Sequence, residues 1–164
     1  MGLLGTVITG KVLAAIAAAV ALGGTGIASM IGLKNAGVAA AGVVAENKDN
    51  FTNALVLQAL PQTQVVYGFI TALFIAMGAG LLGAAKEISV ADGFVMLGVA
   101  VLVVLTGLSG IFQGIVSSAG IISSAKNKDE FVPCVVFGGQ VETPAIFGFI
   151  CALIVLVVGL NVLG

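Results

Sequence analysis

Long apolar runs alternate with short charged clusters along the chain. ENKDN (46–50), KEISVAD (86–92) and KNKDE (126–130) separate four apolar segments, at about 8–44, 53–83, 93–125 and 131–163. Each exceeds the roughly 20 residues that a helix needs to cross a hydrocarbon core. Lipid offers no partner for backbone N–H and C=O groups, so helices, which pair these groups internally, are the economical structure. A spanning barrel needs strands of alternating apolar and polar positions, and none are visible. The pattern predicts an all-α membrane protein with four transmembrane helices.

Composition points the same way. Hydrophobic residues make up 60% of the 164, charged residues 8%, and the mean hydropathy is +1.25. A soluble domain of this size could not hide so much apolar surface. Net charge is −1 with no large basic or acidic block, which predicts no nucleic-acid partner. With no histidine, imidazole catalysis and His-ligated metal sites are excluded, and no catalytic site of its own is expected. GGTG (23–26) lacks the strand context and the GK[ST] of a phosphate-binding loop, so no directly bound nucleotide is expected. Cys134 and Cys151 lie 17 residues apart in one apolar segment. At about 1.5 Å rise per residue they cannot form a disulfide within one helix, and both read as small packing residues.

Two readings of the N-terminus are set aside. MGLLGT (1–6) fits a bare N-myristoylation pattern, but it precedes a spanning segment that needs no lipid anchor. A cleavable signal peptide needs a basic stretch before its apolar core, and Lys11 is the only early charge. An internal repeat argues further against cleavage. At an offset of 80, FTNALVLQALPQTQVVYGFITAL (51–73) lies over FVPCVVFGGQVETPAIFGFICAL (131–153), and NKD recurs at 47–49 and 127–129. The chain thus reads as two tandem helical hairpins, 1–84 and 85–164. Upstream, GIAS (26–29) matches GIFQ (110–113) only if the first half carries four extra residues. The hairpins share one topology. Lys34, Lys48, Lys126 and Lys128 against Lys11 and Lys86 predict that connections one and three face the cytoplasm, with both termini outside.

The segments differ in bulk. The first has no aromatic residue and is dense in Ala and Gly (LAAIAAAVALGGTGIAS), whereas segments two and four hold most of the phenylalanines and the only tyrosine. Small residues let membrane helices approach closely. The gradient suits a curved assembly with segments one and three on its inner side, or tight packing within one four-helix bundle.

One acid stands apart from the charged connections. Glu142 is twelfth in a 33-residue apolar segment, where a charged carboxylate costs about 2.5–3.5 kcal/mol on insertion scales. Such a residue marks function more often than structure. Its candidate partners are few. In PQTQVVY (61–67), helical spacing puts Leu60, Thr63, Gln64 and Tyr67 on one broad face, and segment three contributes Gln113. Each amide or hydroxyl alone reads as an interhelical hydrogen bond. Together they form a set of hard oxygen donors, suited to alkali and alkaline-earth cations rather than zinc or copper. One carboxylate neutralises one unit charge, which favours a monovalent ion. Pro61 and Pro144 each remove a helix N–H, and a backbone carbonyl freed in this way is a further candidate ligand. Tyr67 is placed to donate to Glu142 and fix its orientation. A proton carrier needs only the carboxyl. The surplus of oxygens is the reason to prefer Na+, with H+ competing for the ionised ligand. The repeat sets Gln62 opposite Glu142, so two hairpins carry one ionisable site.

These residues resemble the proteolipid (K or c) subunits of the rotor ring in V-type and archaeal-type ATPases. The likeness covers nearly the whole chain: a double hairpin of four helices with one glutamate in the fourth. Leu60-Pro61-Gln62-Thr63-Gln64 with Tyr67, then Gln113, then Val141-Glu142-Thr143 look like the sodium-binding branch. The resemblance implies that the Leu60 main-chain oxygen and the side chains of Thr63, Gln64, Gln113 and Glu142 bind Na+, and that Tyr67 hydrogen-bonds Glu142. It implies a ring of identical subunits in the bilayer, a membrane stator with an arginine, and central-stalk subunits. The setting it implies is the plasma membrane of a prokaryote. The alternatives are the same rotor carrying H+, or a small secondary transporter or channel with Glu142 at the midplane.

Overall fold

The structure, a computed structural model, describes residues 8–83 and 86–162. The MGLLGT stretch and the 84/85 boundary between the two expected hairpins lie outside the described residues. Helix α1 (Gly10–Glu46) starts at Thr9, whose hydroxyl accepts the Val12 N–H at 3.3 Å. After a 3-10 turn (Lys48–Asn50) come α2 (Phe51–Ala59), a second 3-10 turn (Leu60–Gln62) and α3 (Thr63–Gly78). The second half has α4 (Val90–Gly107), α5 (Ser109–Lys126), a 3-10 turn (Lys128–Glu130) and α6 (Phe131–Ile154). A π turn (Val155–Gly159) extends α6. Four helical stretches, Gly10–Glu46, Lys48–Gly78, Val90–Lys126 and Lys128–Gly159, are long and apolar enough to cross a membrane.

The local chemistry repeats with the sequence. Asn47 ends α1 and its side chain accepts the Asp49 N–H at 3.0 Å; Asn127 ends α5 and accepts the Asp129 N–H at 3.2 Å. The two connections touch, since Lys128 Nζ donates to the Asp49 carbonyl at 3.1 Å and to Asn50 Oδ1 at 2.7 Å. Ser89 and Asp92 form a capping box that starts α4.

Two expectations need correction. The second helix ends at Gly78 rather than near 83, and Gly80 (φ 66°) and Gly83 (φ 108°) turn the chain through the left-handed region that glycine enters without steric cost. The four-residue insertion is absent. The first and third spans each cover 37 residues, from Gly10 to Glu46 and from Val90 to Lys126. Thr25 lies where a side chain on Gly68 would stand, and Thr106 does the same at Gly148, so an offset of about 80 runs through both halves. The GIAS/GIFQ likeness comes from similar composition, not equivalent place.

Small residues set the helix spacing. Helix α1 packs along α4 and α5 and against α3. At Gly32 an added Cβ would meet the Gly110 carbonyl and, at 2.7 Å, the Pro61 ring; at Gly114 it would run into the Gly32 backbone. Glycine at both positions is what allows the two backbones to touch. Two apolar cores result. One holds Ala17, Ala21, Ile75, Met96, Val103 and Leu156; the other, nearer the 46–50 and 126–130 connections, holds Ala36, Ala54, Leu57 and Ile121. Between them lies a buried polar layer of Thr25, Ser29, Gln64, Ser109 and Gln113.

Candidate functional site

Two backbone irregularities build the polar layer. Pro61 has no N–H to give, and the chain tightens into the Leu60–Gln62 turn, where the Leu60 N–H reaches the Leu57 carbonyl. The next carbonyl, that of Leu60, accepts both the backbone N–H and the hydroxyl of Thr63, the latter at 3.1 Å. The third span breaks at Leu108, between α4 and α5, and α5 then carries Ser109 and Gln113 one turn apart on its buried face.

The six residues singled out from the sequence form one connected network. Gln64, fully buried, donates Nε2 to Gln113 Oε1 at 2.8 Å and to Ser109 Oγ at 3.5 Å. Its Oε1 accepts the Thr63 hydroxyl at 3.4 Å. Gln113, also fully buried, donates Nε2 to the Gly138 carbonyl at 3.1 Å and to Glu142 Oε2 at 3.4 Å. Tyr67 donates its hydroxyl to Glu142 Oε1 at 2.5 Å. Both carboxylate oxygens are therefore held by donors from other helices, and Glu142 is half-buried midway along α6. Tyr67 is itself fixed: its ring stacks on Phe149 with centroids 5.0 Å apart, and its carbonyl accepts the Thr71 hydroxyl at 2.8 Å.

Oxygens from α3, α5, α6 and the Leu60 turn converge here, and a single carboxylate carries the charge. The side chains present no thiolate or imidazole, so the donor set fits a hard monovalent cation. The Gln64 N–H groups go to Gln113 Oε1 and Ser109 Oγ, and those of Gln113 go to the Gly138 carbonyl and Glu142, which leaves Gln64 Oε1 and Thr63 Oγ1 with lone pairs to offer.

The prolines act differently from the sequence expectation. Pro144 sits inside an unbroken α6 and deprives the Gln140 carbonyl of its donor, but Gln140 is exposed and takes no part in the network. The Leu57 carbonyl released by Pro61 is taken up at once by the 3-10 turn. Sequence reasoning missed Ser109 and the Gly138 carbonyl. Helical spacing held the signal for both, since each lies four residues before a site residue, Gln113 and Glu142. Gly138 is further constrained because a Cβ there would meet Leu60 Cδ1 at 2.7 Å. Ser29 of α1, which accepts the Val65 N–H at 3.0 Å, was likewise unforeseen.

A family model described as the C subunit of ATP synthase matches the chain twice, over residues 16–75 and 97–155. The second match follows the first by about 80 residues, as the packing does. The chain is 40% identical over 146 residues to a protein of Methanocaldococcus jannaschii named A-type ATP synthase subunit K; the match takes in 89% of this chain and 62% of that relative. It is 39% identical over 142 residues to a protein of Enterococcus hirae named V-type sodium ATPase subunit K, taking in 86% of this chain and 88% of that relative.

Proposed function

Because the chain belongs to the ATP synthase C-subunit family, the membrane proteolipids of ion-translocating ATPases, we propose that it is an ion-carrying rotor-ring subunit whose cargo is Na+. The observation that carries this reading is the bracing of Glu142, one oxygen by Tyr67 and the other by Gln113, beside the Gln64 and Thr63 oxygens that keep lone pairs to offer. A proton carrier has no use for amide and hydroxyl oxygens arranged around its acid. A dehydrated Na+ needs them, because they replace its lost water. The relative named as a sodium ATPase subunit adds weight to Na+ over H+.

In this reading the Leu60 main-chain oxygen, Thr63, Gln64, Gln113 and Glu142 ligate the ion. Tyr67 holds the carboxylate in place and hands it over when the ion leaves. Identical copies form a ring in the bilayer, each built of the two tandem hairpins. A stator arginine draws Glu142 out of its site as the ring turns, the ion escapes, and the site reloads from the other side. Central-stalk subunits dock on the 46–50 and 126–130 connections, which face the cytoplasm. This chain contributes the moving ion site, and nucleotide chemistry belongs to other subunits.

Treating the detergent-solubilised protein with a hydrophobic carbodiimide tests the cargo. Glu142 is expected to be modified, and Na+ to protect it at millimolar concentration or below. Protection strengthens as pH rises, because protons compete for the same ionised carboxylate. Labelling that responds to pH alone, with Na+ without effect, would assign the site to H+. Tyr67→Phe removes one charge-assisted hydrogen bond but keeps the stack on Phe149, so the Na+ concentration giving half protection should rise about 10-fold or somewhat more, from a loss of roughly 1.5–2 kcal/mol.

A further inference from the structure

The contacts that join the two hairpins within the chain have empty counterparts on its outer edges. Inside the chain, Tyr67 meets Glu142 and Phe149. Moved by the repeat offset of 80, Tyr67 becomes Phe147, while Glu142 and Phe149 become Gln62 and Phe69. Phe147 is 64% exposed and Phe69 52%, on opposite hairpins, and Gln62 is exposed beside Phe69. Tyr67–Phe149 is the one aromatic stack among the described residues, so neither outer ring has an aromatic partner within its own chain. The Leu60–Gly138 contact maps in the same way onto Gln140 and Gln58, an exposed and a half-buried amide.

From this we propose that a second copy of the chain docks by the rotation that relates the two hairpins, so that Phe147 of one copy stacks on Phe69 of the next and faces its Gln62. The inference rests on the ring reading above and adds to it which side chains meet and what the contact holds. A rotation that carries hairpin one onto hairpin two, applied again, carries hairpin two onto the first hairpin of the next copy. Such a head-to-tail contact closes into a ring when the rotation divides a full turn.

The chemistry of the counterparts makes this second interface an ion-free likeness of the site. Where Tyr67 offers a hydroxyl, Phe147 offers none. Where Glu142 carries a charge, Gln62 is neutral. Pro144 stands at the position of Gln64, and Leu33 on α1 stands at that of Gln113. A carboxylate at position 62 would face an aromatic edge in lipid without donors, whereas a neutral amide there is tolerable. The repeat thus separates two duties: hairpins within a copy hold the ion, and hairpins of neighbouring copies hold the ring. Pro144, which serves no purpose in the ion site, fits as part of this apolar contact.

Cysteine cross-linking of the full chain in membranes tests the register. In a Cys134→Ser, Cys151→Ser background, Phe69→Cys and Phe147→Cys are combined, oxidised with copper phenanthroline and run on a non-reducing denaturing gel. A ladder of multimers is expected from the double variant, and a monomer band from each single variant. Gln58→Cys with Gln140→Cys is a second pair that spares the aromatic residues, and it should give the same ladder. If native mass spectrometry shows an assembled oligomer while both pairs stay monomeric on the gel, the proposed contact is wrong and the ring stands. If no oligomer forms even for the parent chain, the ring reading fails and this inference with it.

Discussion

Glu142→Gln is expected to abolish ion translocation by the assembled complex and to eliminate carbodiimide labelling, while the protein still folds and assembles. The amide is nearly isosteric and keeps one oxygen for the Tyr67 hydroxyl. Its NH2 faces the Gln113 NH2, which already serves Gly138, and Gln113 cannot turn over without losing its bond from Gln64. That conflict of donors costs about 1–2 kcal/mol of local stability, the ordinary penalty for one unmet buried hydrogen bond. The functional loss is far larger. Near contact distance a unit charge pair is worth several kcal/mol even at an effective dielectric of about 20. Removing it lowers affinity by roughly a thousandfold or more, since each 1.4 kcal/mol is tenfold. Ion uptake into reconstituted vesicles, with native mass as the assembly control, checks both halves. A Glu142→Gln protein that still carries Na+ would show that the charge lies elsewhere.

Gly114→Leu carries the second large effect, on folding rather than transport. The new side chain would enter the Gly32 backbone on α1, where no rotamer change can make room. The α1 and α5 helices must separate along the buried layer that holds Gln64 and Gln113. Overpacking against movable side chains already costs about 1–3 kcal/mol, and displacement of a backbone exceeds that range. We expect little folded protein and no oligomer, read as recovery from detergent extraction and as the thermal transition of what remains. Gly23→Ala is the contrast, because a Cβ there meets nothing within 4 Å. It should be neutral or stabilising by up to about 1 kcal/mol, the helix-propensity difference between the two residues.

The two large effects differ in how far sequence foretells them. Glu142 is conspicuous because lipid makes a lone carboxylate expensive, and that physics needs no coordinates. Its partners are legible from helical spacing, which puts Leu60, Thr63, Gln64 and Tyr67 on one face, and Gln113 is the one glutamine of the third span. Gly32 and Gly114 were not legible. Glycine is abundant throughout, with 24 in the chain, and sequence does not say which of them faces another backbone. The same holds for the Gly138 carbonyl, an acceptor for Gln113 that every residue type would possess.

The register between the halves shows the boundary between the two kinds of information. Sequence by itself determined four apolar helices, a duplicated hairpin and one ionisable position per pair, because burial cost and period act locally along the chain. It misaligned GIAS with GIFQ because small residues resemble one another wherever they lie. Tertiary structure decided that alignment through Thr25 on Gly68 and Thr106 on Gly148, contacts between helices rather than along them. It also decided that Pro61 tightens a turn while Pro144 leaves its helix unbroken. A proline removes one N–H in either place, and what becomes of the freed carbonyl depends on the neighbours that only folding brings near.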